Sequence, residues 1–186
     1  MRIVFIGSSK SSKALLEKSI KLNLNIVGIC TLKKSFNHDF CDLKKIFSNL
    51  KIPKFYSTDI NSAASYNWIK NKKPDLIFCF GWSQILEKKI FLLPKIATIG
   101  FHPSELPKNR GRHPIIWSLA LGLKKTASTF FLINNEKPDS GEIISQKKIK
   151  INNTDTAQTL YDKIIRQSLK QLSKIINIFK EGKKIV

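Results

Sequence analysis

The feature that most constrains this fold is a series of short apolar runs that alternate with segments of helical periodicity. Residues 2–6, 25–32 and 75–80 each predict a buried strand, because they are short, largely apolar and rich in β-branched or aromatic side chains. Strands that alternate with helices predict an α/β protein with a doubly wound, mostly parallel sheet in three layers, with helices on both faces. In such folds ligands bind at the carboxyl ends of the strands.

The second half of the chain continues this alternation and closes with a long helix. Pro114 near a first helical turn and Gly122 just past its end favour a helix between them. Further strands are predicted at Lys54–Tyr56, 97–101, 127–133 and 142–151, and helices at Ala14–Leu22, around Trp68 and Ile69, at 84–93, about 113–121 and about 156–180, the last followed by Gly182. The last helix is expected to bury Leu160, Ile164, Leu169, Leu172, Ile176 and Phe179.

Composition narrows the class of protein without choosing a function. The 186 residues carry a formal net charge of +20, nearly all of it from lysines spread along the chain. A basic surface attracts phosphate-bearing partners, but scattered lysines are also typical of an AT-rich genome, and both explanations stay open. Three cysteines without CxxC spacing indicate reduced thiols, no apolar run is long enough to span a membrane, and the N-terminus lacks a signal-peptide pattern. We therefore expect a cytoplasmic protein of one domain.

A polar loop, GFHPSELPKNRGRHP at residues 100–114, carries the strongest indication of chemistry. It follows the strand at 97–101 and contains two histidines, two arginines and three prolines. Prolines restrict the loop, which helps to hold a side chain in one orientation. An imidazole at the carboxyl end of a strand can act as a general acid or base near neutral pH, so His102 is a catalytic candidate. Taken alone, such a histidine is more often structural.

The order of motifs around His102 resembles the signature of the folate-dependent formyltransferases. In that family a strand ends in Asn-x-His-(Pro/Gly)-Ser, Leu-Pro and Arg-Gly follow, and an Asp-x-Gly comes later in a loop before a strand. The corresponding elements here are Phe101-His102-Pro103-Ser104, Leu106-Pro107, Arg110-Gly111 and Asp139-Ser140-Gly141. The resemblance covers most of the chain. It implies the Rossmann-like formyltransferase fold in a single catalytic domain over residues 1–186, without the C-terminal barrel domain of the tRNA-charging relatives.

The resemblance also implies a reaction, the transfer of a formyl group from 10-formyltetrahydrofolate to an amine. The tetrahedral intermediate bears an oxyanion, so the step needs a deprotonated amine, donors at the oxyanion and a proton for the folate nitrogen. By resemblance, His102 lies beside the formyl carbon as a proton carrier or oxyanion donor, and Asp139 orients that imidazole or a water. Taken alone, Asp139 would be an ordinary turn residue before Gly141.

One position departs from the family pattern. The family's catalytic asparagine, two residues before the histidine, corresponds to Gly100, which has no carboxamide to hold the formyl oxygen. Losing one oxyanion donor typically costs about 3–4 kcal/mol of transition-state stabilisation. Either Asn109, Ser104 or Gln84 replaces that donor, or the glycine makes room for a bulkier substrate, or catalysis is weakened or lost.

Two further segments are candidates for binding the folate and the substrate. The family segment that grips the pterin ring resembles Trp82, Ser83, Gln84, Ile85 and Leu86, and in relatives a loop corresponding to Asn135–Asp139 closes the same pocket. The alternative for Trp82 is a core aromatic residue. Candidate substrate contacts are Gly7, Ser8 and Ser9, whose amides would meet a phosphate at the following helix start, together with Ser104, Arg110, Arg112 and His113.

The stretch RGRHPIIW at 110–117 resembles the sugar N-formyltransferases, which formylate a nucleotide-linked deoxy-amino sugar. Phosphoribosylglycinamide and methionyl-tRNA formyltransferases remain alternatives, as does a non-catalytic folate- or nucleotide-binding relative. We therefore expect a small-molecule amine partner, with neither a membrane nor a nucleic-acid partner; a homodimer stays open. His38 and Cys41 have HxxC spacing without a second half, so no metal is expected.

Overall fold

The computed structural model describes residues 1–180, with side chains as far as Phe179, so Gly182 lies outside the described residues. Within this range the strands form one sheet in the order β3-β2-β1-β4-β5-β6-β7. This sheet confirms the predicted α/β class. The elements are β1 Arg2–Ile6, α1 Lys10–Lys21, β2 Asn25–Thr31, α2 Leu43–Ile46, β3 Lys54–Tyr56, α3 Ala63–Asn71, β4 Leu76–Phe80, α4 Lys88–Phe91, β5 Ala97–His102, α5 Pro114–Ala120, β6 Lys125–Leu132, β7 Ile143–Lys150 and α6 Ala157–Lys180.

The pairing of the strands is mostly parallel, as the alternation of strands and helices predicts. Strand β1 runs parallel to β2 on one side and to β4 on the other, and β3 runs parallel to β2. Strands β6 and β7, which follow each other without a helix between them, are antiparallel. None of the helices in residues 1–180 is both long enough and apolar enough to cross a membrane.

The chain forms two compact units, of which the first comprises Met1–Gly100 and Ile133–Lys137. Its central strand β1 is buried on both faces, since the neighbouring residues Val4 and Phe5 point to opposite faces and both are fully buried. The face of Val4 packs in one cluster with Ile69 of α3. Burial on both faces is the physical reason for the near-continuous apolar runs in the sequence.

The second unit comprises Phe101–Leu132 and the described chain from Pro138 onwards. Helix α6 packs against β6 and β7, and α5 packs against α6. Leu169, expected to face inward from α6, is only half-buried, whereas the neighbouring Ser168 is fully buried and donates its hydroxyl to the Ile165 carbonyl at 2.8 Å. The expectation of a single catalytic domain over residues 1–186 stays a prediction.

The helix predicted at 84–93 is much shorter in the structure, where only Lys88–Phe91 is helical. Gln84 explains the late start, because its side chain bonds to backbone that follows β3. Its Oε1 accepts the Ile60 amide at 2.9 Å and its Nε2 donates to the Thr58 carbonyl at 2.7 Å. These bonds tie the irregular segment after β4 to the chain that follows β3.

Candidate active site

His102 is the last residue of β5, and its orientation follows from the alternation of side chains along a strand. Its neighbour Phe101 packs against Phe130 of β6, with ring centroids 5.0 Å apart. Successive side chains of a strand point to opposite faces, so His102 lies on the other face, where only 6% of it is exposed. A buried imidazole needs a hydrogen-bond partner for each ring nitrogen.

Both ring nitrogens of His102 face acceptor atoms. Nε2 lies 3.0 Å from the carbonyl oxygen of Asn109, and Nδ1 lies 3.4 Å from Oδ1 of Asp139. A carbonyl oxygen only accepts, so Nε2 carries a hydrogen. With that hydrogen in place, a neutral ring would direct its Nδ1 lone pair at the carboxylate. A second proton, shared between Nδ1 and Oδ1, removes this repulsion, so the geometry suits a histidine–aspartate pair that holds and releases one proton.

Asp139 connects the loop after β5 to the loop before β7. Its Oδ2 accepts the Gly111 amide at 2.9 Å, and its carbonyl accepts Nε of Arg110 at 3.0 Å. The backbone of Asp139 is left-handed, with φ of 50°, a conformation that aspartate tolerates better than most residues. The structure therefore brings His102, Asp139 and Arg110 together, as the motif spacing predicts.

The other candidate substrate contacts of the second unit are arranged differently. Arg112 and His113 are exposed, and His113 precedes α5 with φ of 58°. Ser104 is fully buried, and its hydroxyl donates to the Lys108 carbonyl at 3.0 Å. The Ser104 hydroxyl proton is therefore used within the loop, and the substrate contact predicted for Ser104 stays a prediction.

In the first unit, residues 82–86 form an irregular segment after β4. Trp82 packs beside the core cluster that includes the buried Leu86, but its buried indole N–H has no hydrogen-bond partner among the described residues. Ser83 and Ile85 are exposed. Both polar atoms of the Gln84 amide are bonded to backbone, so this side chain has no spare donor for an oxyanion. The folate contact predicted for Gln84 within residues 82–86 stays a prediction.

The segment that carries Asn135 lies beside residues 82–88 within the same unit. Ile133 packs in the same cluster as Trp82, and Oε1 of Glu136 accepts the Lys88 amide at 2.9 Å, at the start of α4. Oδ1 of Asn135 accepts the Lys137 amide at 2.9 Å. Glu136 could not be identified from the sequence, because the Lys88 amide that it accepts lies 48 residues earlier in the chain. No local pattern marks a bond over this distance.

The loop after β1 uses its amide groups within the first unit. The amides of Gly7, Ser8 and Ser9 donate to the Cys30 carbonyl at 3.0 Å, to the Gly81 carbonyl at 3.3 Å and to the Ser12 hydroxyl at 3.0 Å, respectively. The bond from Ser8 to Gly81 brings the loops that follow β1 and β4 into close contact. The phosphate contact predicted for these residues stays a prediction.

The cysteines and the HxxC pair show no sign of a metal site. Within residues 1–180 no group of three His, Cys, Asp or Glu side chains is placed to hold a metal ion. Burial raises the pKa of the Cys30 thiol to about 12, although a hydrogen bond with Ser57 opposes the shift. Burial also raises the pKa of Cys41, against the charges of nearby lysines. Thiols with raised pKa values are weak nucleophiles and weak metal ligands.

The sheet defines an α/β protein, and at the end of β5 the His102 imidazole faces the Asp139 carboxylate. The family pattern described as formyl transferase matches residues 1–176. The chain therefore belongs to the formyl transferase family.

Two curated relatives are similar in sequence to this chain. The bifunctional polymyxin resistance protein ArnA of Wigglesworthia glossinidia brevipalpis is 35% identical over 170 residues, which cover 88% of this chain and 25% of that protein. The methionyl-tRNA formyltransferase of Thermotoga maritima is 29% identical over 187 residues, which cover 98% of this chain and 59% of that protein. The chain thus spans only part of the length of both relatives.

Solved structures confirm the fold. Phosphoribosylglycinamide formyltransferase from Bacillus halodurans superposes with a TM-score of 0.78 and 22% identity, over 95% of each chain. At this identity the likeness concerns the fold alone, and it confirms the predicted formyltransferase-type architecture.

Proposed function

We propose that this chain transfers a formyl group from 10-formyltetrahydrofolate to a primary amine. The observation that carries the proposal is the His102–Asp139 pair, with Nδ1 and Oδ1 3.4 Å apart, in a chain that belongs to the formyl transferase family. In this reaction the amine nitrogen bonds to the formyl carbon, and the bond from that carbon to the folate nitrogen breaks. The amine loses one proton and the folate nitrogen gains one, so a residue that moves a proton suits the step.

His102 is the proton carrier in this proposal, and Asp139 is its partner. The side chain of His102 is 8% exposed and that of Asp139 is 19% exposed, so water screens their interaction only weakly. The proton held between Nδ1 and Oδ1 is the one that this pair would give to the departing folate nitrogen or use for a hydrogen bond to the oxyanion. Asp139 keeps its orientation through Gly111 and Arg110.

The missing carboxamide at Gly100 leaves a need for another oxyanion donor. Of the three candidates, Ser104 and Gln84 use their side-chain donors inside the protein. The backbone carbonyl of the third, Asn109, lies beside the imidazole of His102. We therefore assign the replacement donor to the side-chain amide of Asn109.

The folate is assigned to residues 82–86 together with the Asn135 segment. The fit rests on the buried indole N–H of Trp82, which lacks an acceptor in the described part of the chain, and on the contact of this segment with Glu136. A flat heterocycle with acceptors on its edge suits an apolar slot of this kind. When bound, the folate supplies the formyl group, and the residues named here hold and orient it.

The amine is assigned to a nucleotide-linked deoxy-amino sugar. This choice rests on the resemblance of residues 110–117 to sugar N-formyltransferases and on the exposed Arg112, whose guanidinium suits a phosphate. The names of the relatives keep methionyl-tRNA as an alternative substrate, and the B. halodurans structure keeps glycinamide ribonucleotide as another. A cytoplasmic location and a single catalytic domain belong to the same proposal.

The experiment is an assay of the purified protein with 10-formyltetrahydrofolate and a panel of amines. The panel contains nucleotide-linked amino sugars, glycinamide ribonucleotide and methionyl-tRNA. We expect a formylated sugar from the wild-type protein and no turnover from His102→Ala, with folate affinity nearly unchanged. Turnover that survives His102→Ala would remove His102 from the chemistry. Gly100→Asn should raise the rate if the site lacks a donor, and lower it if the glycine provides space.

A second candidate function is folate or nucleotide binding without catalysis, and Gly100 is the observation that favours it. Calorimetric titration with 10-formyltetrahydrofolate separates the two functions. Folate binding without any formylated amine across the whole panel would support the binding protein and end the enzyme proposal.

A further inference from the structure

Two side chains of the β6–β7 hairpin bond to the loop between β5 and α5. Thr129 of β6 and Gln146 of β7 are direct partners in the antiparallel register. Directly opposed residues of an antiparallel pair point to the same face, so their side chains can bond to each other. Nε2 of Gln146 donates to Oγ1 of Thr129 at 3.1 Å.

The same two side chains then bond to the loop. Nε2 of Gln146 also donates to the Leu106 carbonyl at 2.9 Å, and the Thr129 hydroxyl donates to the Ser104 carbonyl at 2.6 Å. Each polar hydrogen of this pair has its own acceptor, because an amide nitrogen carries two hydrogens and a hydroxyl carries one. Thr129 is fully buried, so these bonds compete little with water.

The loop transmits this support to His102. The Ser104 hydroxyl donates to the Lys108 carbonyl at 3.0 Å, and the next residue, Asn109, presents its carbonyl to Nε2 of His102 at 3.0 Å. Thr129 and Gln146 thus fix the loop at its start and middle, and the acceptor for Nε2 lies at its end. That acceptor decides which ring nitrogen carries the permanent hydrogen and which one faces Asp139.

We propose that Thr129 and Gln146 are positioning residues that hold the Asn109 carbonyl against Nε2 of His102 and so direct Nδ1 toward Asp139. The inference rests on the proposed function only for its kinetic consequence. The state of the imidazole can be measured without any substrate.

The first measurement is the Nε2–H signal of His102 in nitrogen–proton NMR spectra, which is simple to assign because the chain has 3 histidines. We expect a protected Nε2–H in the wild-type protein. In Gln146→Met, which keeps the length of the side chain, and in Thr129→Val, which keeps its shape, exchange with water should be at least about ten times faster, as the loss of one hydrogen bond predicts. Thr129→Ser retains the hydroxyl and should restore protection.

Ser128→Ala is the matched control, because Ser128 precedes Thr129 in β6 and its buried hydroxyl has no hydrogen-bond partner among the described residues. It should leave the signal unchanged. If Thr129→Val fails to fold, the half-buried Gln146→Met decides the question. Unchanged Nε2–H protection in folded Gln146→Met would overturn the proposal.

The second measurement is turnover in the formylation assay. We expect kcat to fall about tenfold in Gln146→Met with the KM for folate unchanged, and to recover in Thr129→Ser relative to Thr129→Val. A change of the NMR signal in a protein without any formylation activity would support the positioning role and count against the proposed function. Lower kcat with an unaltered signal would assign the loss to another cause and overturn the role.

Discussion

The Asp139→Asn variant keeps the shape of the proposed catalytic pair but removes the proton that its two side chains share. The asparagine oxygen can still accept the Gly111 amide, which Oδ2 of Asp139 accepts at 2.9 Å, and asparagine also tolerates the left-handed backbone with φ of 50°. Its NH2 group would then face Nδ1 of His102 in place of Oδ1. Since Nε2 keeps its hydrogen for the Asn109 carbonyl, Nδ1 must accept, and the ring becomes neutral in an unchanged position.

The expected loss follows from the interaction that disappears. A hydrogen bond to a charged group contributes about 1.5–3 kcal/mol, roughly twice the value for a neutral one. If the doubly protonated ring is the acid in the rate-limiting step, kcat/KM should fall by about 10- to 150-fold. The separation of 3.4 Å between Nδ1 and Oδ1 is long for a strong bond, which favours the lower half of this range.

The assay combines formylation kinetics with the nitrogen chemical shifts of the His102 ring. In Asp139→Asn the ring shifts should show a hydrogen on Nε2 and none on Nδ1, whereas in the wild-type protein the Nδ1 shift should report the proton shared with Oδ1. Asp162→Asn is the control, since Asp162 is an exposed carboxylate on α6 that accepts a hydrogen bond from Gln158. A kcat/KM within about threefold of the wild-type value, measured with the ring in its neutral form, would refute the role of the second proton.

Three further predictions test the fold and its titrating groups. Gly81→Ala should lower the free energy of unfolding by about 2–4 kcal/mol in chemical denaturation, because the glycine has φ of +66° and a Cβ would lie 2.0 Å from Oγ of Ser9; a loss below about 1 kcal/mol would contradict the close approach. Cys30 should resist alkylation at pH 8.5 in the folded protein, since burial raises its pKa to about 12. Its contribution to stability should decline above pH 9.0, where the thiol of the unfolded chain ionises. Rapid alkylation of Cys30, measured in a Cys41→Ser background, would contradict its burial. Asp155→Asn should reduce the loss of stability in acid. A hydrogen bond from Lys163 lowers the Asp155 pKa, so the contribution of this carboxylate to stability is present above pH 3.8 and is lost as the pH falls. An acid transition identical to that of the wild-type protein would contradict this contribution.

The sheet could be predicted because its signal lies in burial. Strands β1, β2 and β4 are buried on both faces, which requires apolar residues at nearly every position. The short helix α4 could not be located correctly, because its start depends on bonds from Gln84 to residues 58–60 that no local pattern contains. Long-range side-chain bonds of this kind decide local structure without leaving periodicity in the sequence.

In the candidate site, the side chains could be expected from the sequence but the backbone contacts could not. His102 and Asp139 could be expected to lie together because of their motif spacing, and their Nδ1 and Oδ1 atoms are 3.4 Å apart. Their catalytic roles are part of the proposal. The acceptor for Nε2 could not be predicted, because it is a backbone carbonyl of Asn109, presented by a residue with φ of 54°. The acceptors for the Gly7 and Ser8 amides could not be predicted either, since they are the carbonyls of Cys30 in β2 and of Gly81 after β4.

The missing carboxamide at Gly100 and the His102–Asp139 pair concern different parts of the proposed reaction. In the proposed reaction a carboxamide at position 100 would stabilise the oxyanion and the His102–Asp139 pair would move a proton, so losing the first leaves the second in place. The bonds from Arg110 and Gly111 hold Asp139, and those from Thr129 and Gln146 hold the loop that orients His102. A protein that only binds folate would need neither set of bonds for a proton transfer. The His102–Asp139 pair therefore favours the proposed formyl transfer, with the oxyanion donor at another residue, over binding alone.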